Sequence, residues 1–368
     1  MKGKGAILFF LFFILLWLSF NAYFYFRVSI LPLFSSKAIK IPLLVAVCFL
    51  TLSYILGRIL IHKGFGGVAS FLEIAGAIWI GVVFIFIVLI LIADILTLFG
   101  YFKEPSIYAR YFAVVLSSLL SIFALYQGLR TPVIREEKIN VEKKEVQGLK
   151  IVQISDLHLG TIIGTKFLTK VVKEVNSLEP DLVLVTGDLI DSGKVGADGF
   201  SEILKTIKAR YGVCGVLGNH EFYLGEKVSE KFFEQSGITL LRNRNVQIKD
   251  DLIVAGIDDL TAKRHIKKDG DYIKESLSER KDGYLILMSH SPLQIKEASE
   301  EGVDLMLSGH THNGQIWPFN YFSKMAYPYN YGKFKIDKMT LIVTGGAGSW
   351  GPPMRLFRPG EIVLIKLV

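Results

Sequence analysis

Carboxylates are nearly missing from the first third of the chain. Residues 1–130 contain Glu73, Asp94 and Glu104 and no other acid, against ten basic residues. A soluble domain covers itself with charges of both signs, so this stretch is not one. Cysteine is equally scarce. Cys48 lies in an apolar run and Cys214 far away in a strand-like segment, which excludes a disulfide scaffold and leaves both as small core residues. Internal repeats and low-complexity stretches are absent. Disorder is excluded by a hydrophobic content of 51%, far above the range in which chains fail to collapse. The formal charge of +8 is unevenly spread: +7 belongs to residues 1–130 and +1 to residues 131–368, where 32 basic residues meet 31 acidic ones. A nucleic-acid binder would carry its basic excess on the folded domain, so nucleic acid is excluded as a partner.

What the first third does contain is long uncharged runs, at residues 5–26, 41–57, 74–93 and 111–129. A bilayer core of ~30 Å takes about 20 apolar residues in a helix. The second run is short, but Arg58 can snorkel and extend it to Ile61. Lys2 and Lys4 ahead of the first run resemble a signal peptide, yet no A-x-A-like cleavage site follows and three further runs do. The reading is a multi-pass, four-span region over residues 1–130, placed in the cell membrane with the lipid bilayer as partner. Lys2, Lys4, Arg58, Lys63, Arg130, Arg135 and Lys138 flank one side; Arg27, Lys37, Lys40, Lys103 and Arg110 flank the other. The seven-to-five balance puts the rear domain in the cytoplasm. Glu73 and Asp94 bracket the third run, where solvation at the membrane surface is the expectation rather than an ion path. Without a charge in mid-span, a transporter with an enzymatic appendage has little support.

Residues 131–148 read as a charged connector or an edge strand, and residues 149–368 as one α/β domain. Short apolar, β-branched runs recur at 150–154, 182–186, 213–217, 252–255, 284–288, 305–307, 341–343 and 361–367. Helical periodicity fills the early gaps, as in Phe167, Val171, Val172 and Val175. Strands alternating with helices make an α/β layered sheet. The late strands lie closer together, which favours a mixed sheet or a two-sheet sandwich.

Polar residues collect where these runs end. Asp156 and His158 follow the first, Gly187 and Asp188 the second, Gly218, Asn219, His220 and Glu221 the third. His290 follows the strand at 284–288, and Gly309, His310 and His312 the one at 305–307. Strand ends of α/β sheets form the crevice where ligands bind. Mixed oxygen and imidazole donors suit Mn²⁺, Fe or Zn²⁺ better than Ca²⁺. Each fragment alone reads as a turn or a surface histidine. Together, in order and each at a strand end, they do not. Of seven histidines only His62 and His265 lie elsewhere.

The set D-x-H, G-D-x-x-D, G-N-H-E, a lone His and G-H-T-H resembles the calcineurin-like metallophosphoesterase superfamily over residues 149–368. G-H-T-H-x-G-Q and the segment 348–361 look most like its membrane-associated bacterial and transmembrane branch. The resemblance implies a four-layer α/β/β/α sandwich and two divalent metal ions: manganese first, with iron, zinc or magnesium as alternatives. By position it assigns Asp156, His158 and His312 to one metal, Asn219, His290 and His310 to the other, and Asp188 to both. His220 would protonate the leaving oxygen and Glu221 would orient it. Arg355 is a candidate phosphate contact, although a solvent-facing arginine is the ordinary reading. Asn313 stands where many relatives have glycine, so its Cβ is expected to crowd the backbone beside His312. The implied activity is hydrolysis of a phosphodiester or pyrophosphate bond, in a lipid-linked substrate or in soluble nucleotides. A non-catalytic metal-binding scaffold is the rival from another class. The aromatic segment 317–334 either touches lipid or caps the domain's own core.

Overall fold

The computed structural model describes residues 2–191, 199–262 and 271–368, with side chains from residue 11 onward. Lys2 and Lys4, counted in the charge comparison, and His265 have side chains outside the described residues. The chain divides into two compact units, Met1–Tyr126 and Gln127–Val368.

The first unit is helical: α1 (Lys2–Ser29), α2 (Lys37–His62), α3 (Val68–Leu96) and α4 (Lys103–Leu129), the last running on into the second unit. All four are long and apolar enough to cross a membrane. Leu, Ile, Val and Phe point outward around them, as they should where the solvent is lipid. The acids at the ends of α3 correct the expectation drawn from sequence. Glu73 and Asp94 are both buried rather than solvated. Arg58 Nη1 donates to Glu73 Oε1 at 3.0 Å. Arg110 Nε donates to Asp94 Oδ1 at 2.9 Å, Arg27 Nε lies 2.7 Å from Asp94 Oδ2, and Tyr23 donates its hydroxyl to the same oxygen. Helix packing brings the end of α1 and the start of α4 onto the end of α3. A charge desolvated there persists only with partners.

The second unit begins with β1 (Val133–Ile139), so the connector is a strand. There follow β2 (Lys150–Ile154), α5 (Thr165–Ser177), β3 (Leu182–Val185), α6 (Phe200–Leu204), β4 (Val213–Gly215), α7 (Asn219–Leu224), α8 (Glu226–Gln235) and β5 (Thr239–Leu240). The second half holds β6 (Arg244–Lys249), β7 (Leu252–Gly256), α9 (Tyr272–Leu277), β8 (Tyr284–Met288), α10 (Ile295–Glu300), β9 (Leu305–Ser308), α11 (Phe319–Ala326), β10 (Gly332–Ile336), β11 (Met339–Val343) and β12 (Glu361–Leu367). Two six-stranded mixed sheets result, ordered β1-β12-β2-β3-β4-β5 and β10-β11-β9-β8-β7-β6.

Alternation along the central strands builds the layers. In β2 and β3, Ile151, Leu182 and Leu184 face the second sheet, where they meet Leu252, Ile286 and Leu305. Their neighbours Val152, Val183 and Val185 face the opposite way, onto Phe167, Val171 and Phe232 of α5 and α8. In the second sheet Ile253, Leu285 and Met306 turn outward to Ile273 of α9 and Ala298 of α10. Both faces of each sheet are therefore covered, which is why these strands read as unbroken apolar runs. The outcome is an α/β/β/α sandwich. Edge strands β6 and β10 escaped the sequence reading because polar residues interrupt them: Arg244, Asn245, Gln247 and Lys249 in one, Lys333 and Lys335 in the other.

Replacing Asp94 by Ala leaves two arginines facing each other without their carboxylate. Unfolding of the protein in detergent should become easier by about 3–5 kcal/mol, against little change for Glu104→Ala.

Candidate metal centre

Every sequence-predicted ligand lies just beyond the carboxyl end of a strand, and the two sheets aim these ends at one crevice. Gln153 Nε2 on β2 donates to Thr186 Oγ1 beyond β3 and to the Ser308 carbonyl on β9, fastening the sheets beside it.

One group comprises Asp156, His158 and His312. The Nε2 atoms of His158 and His312 are 3.0 Å apart, and His312 Nε2 is 3.4 Å from Asp156 Oδ1. A second comprises Asp188, His290 and His310. Here His290 Nε2 lies 3.2 Å from Asp188 Oδ2 and 3.1 Å from His310 Nδ1. Asp188 also joins the two groups, since Oδ2 lies 3.7 Å from His158 Nε2. Asn219 Oδ1 is buried without a hydrogen-bond partner. A buried amide oxygen without a partner is costly, and a cation among the clustered imidazoles and carboxylates would take its lone pair. These donors therefore fit divalent metals.

The backbone is bent to present them. Asp156, His158, Asp188, His310 and His312 all have φ between 49° and 68°, a left-handed conformation uncommon for residues with a Cβ. Asn313 shares it, at φ 49°, so the side chain expected to crowd the backbone occupies a conformation that asparagine tolerates well. Two glycines leave room for carboxylates. A Cβ on Gly218 would collide with Asp188 Oδ1, and one on Gly309 with Asp156 Oδ2 and Ser155 Oγ. This is the physical content of G-N-H and G-H-T-H.

Electrostatics sort the imidazoles. Burial pulls His158 down to about 3. Burial and the Arg355 charge hold His312 well below the usual range. Both are therefore neutral, with lone pairs to offer. Burial would also lower His290 and His220. For His290 the Asp188 carboxylate outweighs it, and for His220 Asp188 and Asp191 together do so, so both rise.

Two expected roles are corrected. Glu221 was expected to orient His220. Its carboxylate instead accepts the backbone N–H groups of Gly218 and Asp188 through Oε2 and that of Ile190 through Oε1. Burial and the nearby Asp188 charge raise it to about 7. It clamps the loops beyond β3 and β4. The carboxylate on His220 is that of Asp191, whose Oδ1 is 2.9 Å from Nδ1. Arg355 was a candidate phosphate contact. It is buried, and its donors go to the carbonyls of Gly348, Gly345 and Arg358, with Nη2 3.3 Å from His312 Nδ1. Its guanidinium organises the chain behind His312.

Asp191, Tyr327 and Asp259 went unassigned in the sequence. The second Asp of G-D-x-x-D was the available signal for Asp191. Tyr327, whose hydroxyl is 2.9 Å from His310 Nε2, was one aromatic among many. Asp259, buried beyond β7, accepts from the hydroxyls of Ser291 and Thr261, and nothing local marks it.

A two-sheet sandwich whose strand ends gather such donors is the architecture of a metal-using hydrolase. Residues 149–314 match the family described as calcineurin-like phosphoesterase. An uncharacterized metallophosphoesterase of Helicobacter pylori is 36% identical over 255 residues, covering 68% of each chain. One of Aquifex aeolicus is 32% identical over 254 residues, 67% of this chain and 96% of its own. A zebrafish (Danio rerio) transmembrane protein with metallophosphoesterase domain is 33% identical over 271 residues, 69% of this chain and 62% of its own. The chain belongs to the calcineurin-like metallophosphoesterase family. It is a phosphoric ester hydrolase, carried on a chain with four apolar membrane-type helices.

Gly218→Ala should push Asp188 aside while leaving both sheets intact. Manganese affinity measured by calorimetry should fall about tenfold or more, with the far-ultraviolet dichroism unchanged.

Proposed function

We propose that this protein hydrolyses a phosphodiester or pyrophosphate bond in a lipid-linked substrate, using two divalent metals. Asp188 carries the reading. A single carboxylate within reach of His158 on one side and His290 on the other is what a pair of cations requires. Asp156, His158 and His312 would hold one; Asn219, His290 and His310 the other; Asp188 both. Bound cations would supply Lewis-acid stabilisation of the phosphoryl oxygens and a water acidic enough to attack phosphorus.

The remaining chemistry falls to His220. Its Nδ1–H donates to Asp191, which fixes the ring and leaves Nε2 as the face that can give a proton to the departing oxygen. Asp188 contributes here too. Its Oδ1 accepts the His220 backbone N–H at 2.9 Å, and its charge helps keep the imidazolium. Manganese is the metal we favour, from the mixed oxygen and nitrogen donors. Lipid linkage is supported by the four apolar helices and by the aromatic residues near the site. The seven-to-five charge balance supports a cytoplasmic catalytic unit.

Manganese-loaded enzyme should hydrolyse bis(p-nitrophenyl) phosphate, lose activity in EDTA and regain it on adding Mn²⁺. Asp188→Asn should be inactive. His220→Ala should lose about 10²–10⁴-fold on alkyl phosphodiesters but much less on the nitrophenyl ester, whose leaving group needs no proton. Asp191→Asn should follow the same pattern more mildly. An enzyme that cleaves only water-soluble nucleotides, with no gain from a lipid chain, would refute the lipid-linked reading. Metal binding without turnover on any phosphoester would favour the scaffold.

A further inference from the structure

The last turn of α4 belongs to the same compact unit as the site. There Gly128 packs so closely on residues 353 and 354 that a Cβ would collide with the Pro353 carbonyl. Three residues separate the end of α4 from β1, a reach of about 10 Å. Residues 353 and 354 thus pack on the last turn of an apolar helix long enough to cross a membrane.

The same segment reaches the site. Gln315, three residues beyond His312, donates through Nε2 to the carbonyls of Trp350 and Pro352 and accepts the Trp350 N–H. Trp350 itself is 56% exposed, yet its indole lies edge-on to His220 with ring centroids 5.9 Å apart. Phe357 on the same loop is half exposed. The Trp317 N–H donates to the Leu356 carbonyl, which places the start of α11 alongside. Phe319, Tyr321, Phe322 and Met325 of α11 are all exposed, so this helix does not cap the core. Such an apolar surface is unusual on a domain facing water alone. Its charge is one-sided as well: residues 348–358 and α11 hold Lys324, Arg358 and the buried Arg355, and no carboxylate.

We infer that residues 348–358 and α11 form a rim bedded in the headgroup layer of the bilayer, with Trp350 as its anchor, so that the metal centre opens onto phosphoesters still embedded in lipid. Tryptophan and tyrosine favour that layer, exposed apolar side chains gain from entering it, and the absence of acids suits anionic headgroups. The inference rests on the phosphoesterase reading only for what the opening is used for.

The test uses the full chain in nanodiscs of phosphatidylcholine and phosphatidylglycerol, with or without bromine near the top of the acyl chains. Subtracting the emission of Trp350→Phe from that of wild type isolates Trp350 from Trp17, Trp79 and Trp317. Brominated lipid should quench about half or more of this difference, and acrylamide in the water should quench it poorly. Met325→Trp adds an independent reporter on α11 that should be quenched likewise, whether or not Trp350→Phe folds. Emission at both positions that ignores bromine and yields to acrylamide would overturn the inference. Quenching needs no turnover, so loss of the phosphoesterase reading would appear separately, as absence of hydrolysis.

Discussion

Asp188 is hemmed in on every side. One oxygen receives the His220 backbone N–H, and the other faces His290 and His158. Its own N–H is held by Glu221, and the chain opposite must be Gly218 because any side chain there would strike it. Its charge lifts His290 and His220 and raises Glu221. A carboxylate with so many neighbours can lie in one place only, and the loops beyond β3, β4 and β8 are consequently positioned against each other. The mutual placement of the sheets and the chemistry of the crevice are two aspects of the same contact.

This arrangement carries internal cost. Five of the seven proposed ligands occupy left-handed backbone conformations, each worth of order 1–3 kcal/mol of strain. Imidazole nitrogens are crowded within about 3 Å of one another, and Asn219 Oδ1 has no partner. The sandwich sustains this through three apolar layers whose central strands are buried on both faces. The strain is therefore localised at the strand ends, where cations would relieve part of it.

The strands that carry ligands were legible in the sequence because burial on both faces makes them continuous apolar runs, and because each ends in Asp, Asn or His. What stayed hidden depends on distance in space. Asp191 acts on a histidine 29 residues later, and only the turn of α7 brings them together. Arg355 looks like any surface arginine until the carbonyls of Gly345 and Gly348 are seen to surround it. Glu221 lies next to the residue it was thought to serve, yet its side chain points back into the loops. Glu73 and Asp94 are paired because α1, α2 and α4 supply arginines, a fact of helix packing that local hydropathy does not encode.

β12 has a consequence for how the molecule comes into being. It lies between β1 and β2, parallel to one and antiparallel to the other, although over 200 residues separate it from either. Among the described strands synthesis delivers β1 first, directly behind the fourth apolar helix, and its partner β12 after all the others. Throughout translation β1 must wait as an open edge. Closure of the first sheet is thus a late event with a long loop to gather, the slow kind of strand pairing. The charged residues of β1 (Arg135, Glu136, Glu137 and Lys138) give that waiting edge protection against pairing with another chain.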